Sequence, residues 1–459
     1  MDGTKTISRR GFLSALAVLG TIALAGCATQ STKRASATGS DRAAKDLAFV
    51  GVNVVPMDRN GILENQTVIV RDGRIAGVAP AGSTRVPDGA LRIDGRGKYL
   101  MPGLGEMHGH IPSPFEPREF IEQVLFLYVA NGVTTVRGMQ GAPGQLDLRE
   151  RAKRGELLAP NLYLAGPAFS GKTIKSAEEA IQKVRQQRAE GWDLLKVLPG
   201  LARDHYDAMA KTANEVAISF AGHVPADVGL LHAIQSGQQT FDHLDGYIEY
   251  LQGDRGPVAD AKLQDVTKLS REAAVWVVPT MALWETLRGT SDLATLLAYP
   301  ELQYMPPQQI QQWKNAQEKL FSNPGFKPDV GRTVIANRMR LLKALYDGGV
   351  KILLGSDAPQ RFSVPGFSIH REMKRMADAG MKPYDILRSG TYNVGLYLKE
   401  KDDFGTIQVG KRADMILLDA NPLENISAIA RRSGVMVRGH WLPEREIQSR
   451  LDQIAASHR

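Results

Sequence analysis

A (β/α)8 barrel carrying a small β-sandwich built from both chain ends is the fold the sequence predicts. Three observations predict it. Apolar strand candidates alternate with helical patterns eight times across residues 99–359, close to the ~250 residues usual for such barrels. Strand-like segments flank that block on both sides, and neither set alone is long enough to bury a face. Side chains able to do chemistry fall at the ends of several of the eight strands, where barrels of this kind carry their sites. A doubly wound open sheet is the alternative, and it fits eight similar units with functional strand ends less well.

Residues 1–27 read as an export signal. Lys5, Arg9 and Arg10 precede an apolar run, Phe12–Ala25, which is shorter than the ~20 residues of a membrane span. Ser8-Arg9-Arg10-Gly11-Phe12-Leu13 resembles a twin-arginine signal, and Leu24-Ala25-Gly26-Cys27 resembles a bacterial lipobox. Those resemblances imply lipidation of Cys27 and an exported protein held at a membrane on its periplasmic face. Residues 28–45 are rich in Ser, Thr and Ala and read as a flexible tether.

The sandwich is assigned to 46–98 and 404–443. Leu47–Pro56 and Thr67–Pro80 alternate like strands, and Asp72-Gly73 is a two-residue hairpin signal. Leu91-Arg92-Ile93, Gly405–Asp419 and Gly434–Leu442 complete it, with a C-terminal helix at 444–459.

The barrel is assigned to 99–403. Its strand candidates are Leu100–His108, Val133–Arg137, Leu162–Ala165, Leu194–Leu198, Ile218–His223, Thr240–His243, Val275–Thr280 and Val350–Asp357. Between them, Ser176-Ala-Glu-Glu179 opens a helix that Gly191 closes. Asp227 caps another, closed by Gly237. Phe120, Ile121, Val124, Leu125 and Tyr128 form an apolar helical face. The segment Thr280–Val350 is long for a connection, with a helical stretch Met305–Phe321 broken by Asn323-Pro324-Gly325. Either a lid over the barrel mouth or a helix packed outside it accounts for that length.

Composition narrows the function classes. The net charge of +8 is dispersed, and Lys5, Arg9 and Arg10 against Asp2 account for +2 of it. No basic stripe interleaved with aromatics occurs, which argues against nucleic-acid binding. The single cysteine excludes internal disulfides.

Chemistry concentrates at strand ends. His108 and His110 lie one residue apart at the end of the first strand, so both imidazoles project the same way and begin a metal site, zinc by default. The fourth strand carries Lys196, the fifth His223, the sixth His243 and the eighth Asp357. Four of the nine histidines thus fall at strand ends. A lysine ending an apolar strand inside a barrel is costly unless it is neutralised. His205 and His232 fall in helical segments, and His370, His440 and His458 lack a strand-end setting.

This set resembles the amidohydrolase superfamily of metal-dependent hydrolases, among them imidazolonepropionase-like enzymes and Xaa-Pro dipeptidases. Leu100-Met-Pro-Gly-Leu, His108-x-His110, Asn131-Gly-Val-Thr-Thr-Val-Arg137, Gly355-Ser-Asp357, Phe404–Asp414 and Asp419-Ala-Asn-Pro-Leu carry the likeness in order. The resemblance implies two divalent metals, zinc by default. His108, His110 and Asp357 would hold one, and His223 and His243 the other. Lys196, carboxylated by CO2 to a carbamate, would bridge both. It further implies a water acidified toward a pKa of ~7 and Asp357 as the catalytic proton carrier. The activity implied is cleavage of an amide C–N bond in a dipeptide-like or other small amide. The same ligands would equally serve a lactone, carbamate or phosphoester, and a non-catalytic binding lipoprotein is the reading from another class. Two features depart from the relatives. Gly138-Met139 stands where they commonly carry Asp, and the segment Leu162–Ser176 is short. A substrate carboxylate would need a partner, for which Arg137, Lys172, Arg361 and Tyr247 are the candidates.

Overall fold

The computed structural model describes residues 46–459. The export signal, Cys27 and the tether lie outside the described residues. Strands in chain order are β1 (Leu47–Val54), β2 (Leu63–Arg71), β3 (Arg74–Pro80), β4 (Leu91–Asp94) and β5 (Tyr99–Pro102). A second group follows: β6 (Leu104–Gly109), β7 (Val133–Gly138), β8 (Asn161–Leu164), β9 (Leu194–Val197), β10 (Ser219–Gly222), β11 (Thr240–Asp242), β12 (Trp276–Val278) and β13 (Lys351–Ile352). The last are β14 (Met415–Leu418), β15 (Arg432–Val437) and β16 (His440–Pro443).

Strands from both chain ends form one sheet in the order β16-β15-β14-β5-β1-β2-β3, with β4 also pairing β1. It folds around a common core of Phe49, Val52, Val68, Ile75, Leu100, Met415 and Met436. The β2–β3 hairpin turns on Asp72 (φ 49°) and Gly73 (φ 73°), the left-handed pair that a two-residue hairpin requires. The helix Glu444–Ser457 follows β16 and buries Ile447, Leu451 and Ile454.

One boundary differs from expectation. Residues 99–102 do not begin the first strand of the expected barrel; they form β5, which pairs parallel with β1 and antiparallel with β14. The break is Gly103, whose N–H donates to Asp414 O at 2.9 Å. A Cβ there would stand 2.2 Å from Thr134 Oγ1. The chain therefore crosses between sheets where only glycine fits, and an apolar run reads alike on either side of that crossing.

The middle of the chain alternates strand and helix as expected, with every strand pair parallel. Its strands form two arcs, β6-β7-β8 and β13-β12-β11-β10-β9. Parallel bridges Ala165–Leu194 and Phe169–Val197 connect β8 to β9. On the other side, Met107 N donates to Leu354 O at 2.9 Å and Asp357 N to His108 O at 2.7 Å.

The helix Ala177–Glu190 starts where Ser176 accepts from Glu179 N and ends at left-handed Gly191. The helix Arg118–Ala130 buries Ile121, Val124, Leu125 and Tyr128. Asp227 does not cap a helix: Val228 and Gly229 both donate to Pro225 O, and this turn delays the helix to Leu230–Gln235. Between β12 and β13 come the helices Met281–Leu287, Leu293–Leu297, Pro307–Phe321 and Pro328–Asp347. The last packs Val334, Leu341, Leu342 and Leu345 into the main core, as a crossover helix does. Pro307–Phe321 seats Trp313 against Phe362, ring centroids 5.9 Å apart, and so covers the segment that follows Asp357. No described helix is long and apolar enough to cross a membrane.

Candidate metal centre

Six side chains from five strand ends meet. His108 lies in β6 and His110 just past it, Lys196 lies in β9, and His223, His243 and Asp357 follow β10, β11 and β13. Lys196 Nζ is 3.1 Å from His108 Nε2. Asp357 Oδ1 is 2.6 Å from His110 Nε2 and 3.7 Å from His108 Nε2, while its Oδ2 is 3.7 Å from His243 Nε2. His243 links the rest: its ring centroid is 4.3 Å from that of His108 and 4.6 Å from that of His223.

The local backbone is bent to aim them. His243 (φ 63°), Leu244 (φ 53°) and Asp357 (φ 61°) are left-handed, a conformation that costs a non-glycine residue about 1–2 kcal/mol and clusters at functional sites. Gly222 (φ 120°) leaves room for the lysine stem, since a Cβ there would lie 2.9 Å from Lys196 Cδ.

A surrounding layer fixes the imidazoles. His108 Nδ1 lies 2.7 Å from Asp242 Oδ2, His223 Nδ1 2.5 Å from Asp245 Oδ2, and His243 Nδ1 2.8 Å from Thr280 Oγ1. The carboxylates facing His108 and His223 accept from Nδ1, so Nε2 of those rings keeps its lone pair for the centre, and the Thr280 hydroxyl can accept from His243 Nδ1 in the same way. Asp242 is held in turn by Arg137, whose Nη2 lies 3.1 and 3.2 Å from its oxygens, and by the Thr240 hydroxyl at 2.8 Å. Glu106 accepts from the main-chain N–H groups of His108 and Ser356, and also from the Ser356 hydroxyl.

The electrostatics follow from burial. Desolvation first, then the charge of Lys196, pushes His108 well below the ordinary imidazole value. Desolvation and the neighbouring histidines do the same to His243. Both rings are therefore neutral and able to ligate. Burial holds the Lys196 ammonium down to about 8 and raises the Glu106 carboxyl to about 8.

This donor set fits a divalent cation. His243 Nε2 is buried without a hydrogen-bond partner. One atom each from His108, His243 and Asp357 fall within 4.8 Å of one another. Neutral imidazoles and a carboxylate are the ligands that zinc and its neighbours take.

Two of the candidates for a substrate carboxylate are spoken for. Arg137 is wholly buried and bound to Asp242, Met107 O and Thr240. Tyr247 is buried with its hydroxyl 2.8 Å from Ser270 Oγ. Both sit where strand-end counting put them, but they point into the protein interior. Lys172 is exposed and Arg361 partly exposed. Sequence reasoning missed Asp242, Asp245, Thr280 and Glu106. The available signal was an acid inside or beside the buried apolar run Thr240-Phe-Asp-His243, where an unpartnered carboxylate would be costly.

A mixed α/β fold with histidines, a lysine and an aspartate gathered at strand ends is the architecture of metal-dependent hydrolases. The chain belongs to the Amidohydrolase family, whose sequence pattern matches residues 99–442. It is 22% identical over 409 residues to adenine deaminase 3 of Rhizobium meliloti, covering 84% of this chain and 56% of that one. Across three such bacterial deaminases the chain spans between 17% and 56% of their length. Among solved structures it is similar to a bottromycin amidohydrolase (TM-score 0.72, 22% identity, 90% of each chain). It is also similar to a Xaa-Pro dipeptidase with bound methionine (TM-score 0.66, 19% identity, 87% of this chain and 100% of that one). These two likenesses concern the fold.

Proposed function

We propose that this protein is a metal-dependent amidohydrolase that cleaves the amide C–N bond of a dipeptide-like or other small amide. The observation that carries the reading is the convergence of His108, His110, Lys196, His223, His243 and Asp357, with three of the four imidazoles held at Nδ1 and His243 Nε2 left unpartnered. In this reading the two strand arcs belong to one closed (β/α)8 barrel with the centre at its mouth. The main-chain links at both seams support that.

His108, His110 and Asp357 would hold one divalent cation and His223 and His243 a second, with Lys196 between them. Two such cations, zinc by ligand preference, supply Lewis acidity and make a water acidic near neutral pH. Lys196 is 1% exposed, and as an ammonium it would repel both cations. Its neutral amine adds to CO2, releasing a proton and leaving an anionic carbamate with two oxygens. Asp357 touches His110 and faces His108 and His243, so its carboxylate is placed to take a proton from the attacking water and return it to the leaving nitrogen. Asp242, Asp245 and Thr280 keep the imidazoles in the ligating tautomer throughout.

Amide cleavage is favoured over other electrophiles because the family and the similar folds include an amidohydrolase and a dipeptidase. The test is a dipeptide and N-acyl amine library, run beside lactones and phosphoesters, on zinc-loaded protein lacking residues 1–27. Release of free amine is expected. Turnover of lactones or phosphoesters with no amide cleaved would overturn the assignment. Export by residues 1–27 and lipidation of Cys27 at the periplasmic face form part of the same proposal.

A further inference from the structure

Arg338 is 95 residues from His243 in sequence, on the crossover helix Pro328–Asp347, and its side chain is 1% exposed. No carboxylate hydrogen-bonds it among the described residues. Its contacts are a main-chain bond from Nη2 to His243 O, an approach to Pro279 O at 3.5 Å, and the Trp284 ring, 4.2 Å from its Cζ. Its Nε is buried without a partner. Asp245, Glu249 and Glu372 act on it only through space, and burial outweighs them; a buried cation without a hydrogen-bonded carboxylate is expensive, and an apolar residue of similar volume would avoid that penalty. Packing alone therefore does not account for an arginine here.

The carbonyl it holds belongs to one of the left-handed residues of the centre. His243 and Leu244 are consecutive left-handed residues. The N–H of His243 donates to Val278 O at 2.8 Å, and its Nδ1 is held by Thr280. Arg338 supplies the remaining restraint, on the carbonyl, and Trp284, 6.5 Å from the His243 ring by centroids, packs against the guanidinium. Without the arginine this strained turn has a free carbonyl and can relax toward ordinary backbone angles, which turns Nε2 away.

We propose that Arg338 is a positioning residue that locks the left-handed turn at His243 and so directs Nε2 into the cation site shared with His223. This rests on the reading of His243 as a ligand. It gives the long segment between β12 and β13 a purpose: its helices carry Trp284 and Arg338 and buttress the second ligand pair from behind.

The test titrates zinc against a competing chelator in the full chain. It compares wild type, Arg338→Met, Arg338→Lys and a control in the same helix, Leu341→Ala, with circular dichroism and Tm for each. Arg338→Met is expected to bind its first zinc normally and its second 10–100-fold more weakly, the usual effect of losing an outer contact. Added methylguanidinium should restore part of that loss. Leu341→Ala should lower Tm and leave both affinities unchanged. Should Arg338→Met not fold, Arg338→Lys decides, because its ammonium neither stacks flat on the indole nor spans two carbonyls; weaker second-site binding is expected there too. Wild-type zinc affinity in a folded Arg338 variant, or an equal loss in Leu341→Ala, would overturn the proposal while leaving the metal-site reading standing. Wild type that binds no zinc would remove both.

Discussion

Asp242 Oδ2 lies 2.7 Å from His108 Nδ1 and 3.1 Å from Arg137 Nη2, and all three side chains are at most 1% exposed. The carboxylate thus does two jobs at once: it orients an imidazole and compensates a buried guanidinium. Desolvation alone would raise its pKa, but Arg137, then Lys196, outweigh burial and keep it below the ordinary carboxylate value.

Removing Asp242 should therefore harm stability and metal binding together. Asp242→Ala leaves Arg137 as an unpaired buried charge, with an expected loss of about 3–5 kcal/mol by urea unfolding. The double variant Arg137→Met, Asp242→Leu should be less destabilised than the sum of the singles, because they share one interaction. Zinc affinity should fall in both, since His108 loses its orienting partner.

Asp357→Asn is expected to fold, to retain part of its metal and to lose turnover by about 10²–10⁴-fold. Near-wild-type kcat in that variant would refute the proton-carrier role.

Lys196→Ala should lose metal and activity. Because the part assigned to Lys196 is that of a small anion with two oxygens, acetate or propionate added to the variant should restore some of each. A variant that keeps full activity without added acid would contradict that assignment.

Glu372 gives a pH signature away from the centre. Its carboxylate accepts from Met281 N and Ala282 N at 2.9 Å each, and burial raises its pKa from 4.5 to about 7. A carboxyl raised on folding favours the native state while protonated. Its contribution is fully present below pH 4.5 and is lost as pH rises to about 7, at up to ~1.4 kcal/mol per pH unit. Glu372→Gln should flatten the urea-midpoint profile across that window.

The export reading predicts that the full chain, expressed in a bacterium, incorporates labelled fatty acid and partitions with membranes. Cys27→Ala should do neither.

Much of this centre is legible in the sequence because the side chains that meet there obey a rule of position. Residues at the C-terminal ends of neighbouring parallel strands lie at one end of the sheet, so strand counting alone brings His108, Lys196 and His243 together. The supporting layer obeys no such rule. Asp245 gains its part only from His223 beside it, and Arg338 lies on a helix, Pro328–Asp347, inside the segment Thr280–Val350, for which the sequence offers only a lid or a helix packed outside. Arg137 shows the same limit from the other side: its strand-end position was right, but the partner that claims it, Asp242, is a hundred residues away. Tyr99–Pro102 joins the sheet of β1 and β14 rather than the parallel set the sequence predicts, because an apolar run carries no mark of which neighbour it will pair with. Only the crowding at Gly103 decides that.

Metal content tests the central claim most directly. The full chain, purified without chelators and then dialysed against zinc and bicarbonate, should hold two equivalents per chain by mass spectrometry. His243→Ala should hold about one. Wild-type protein that retains no stoichiometric metal would contradict the account.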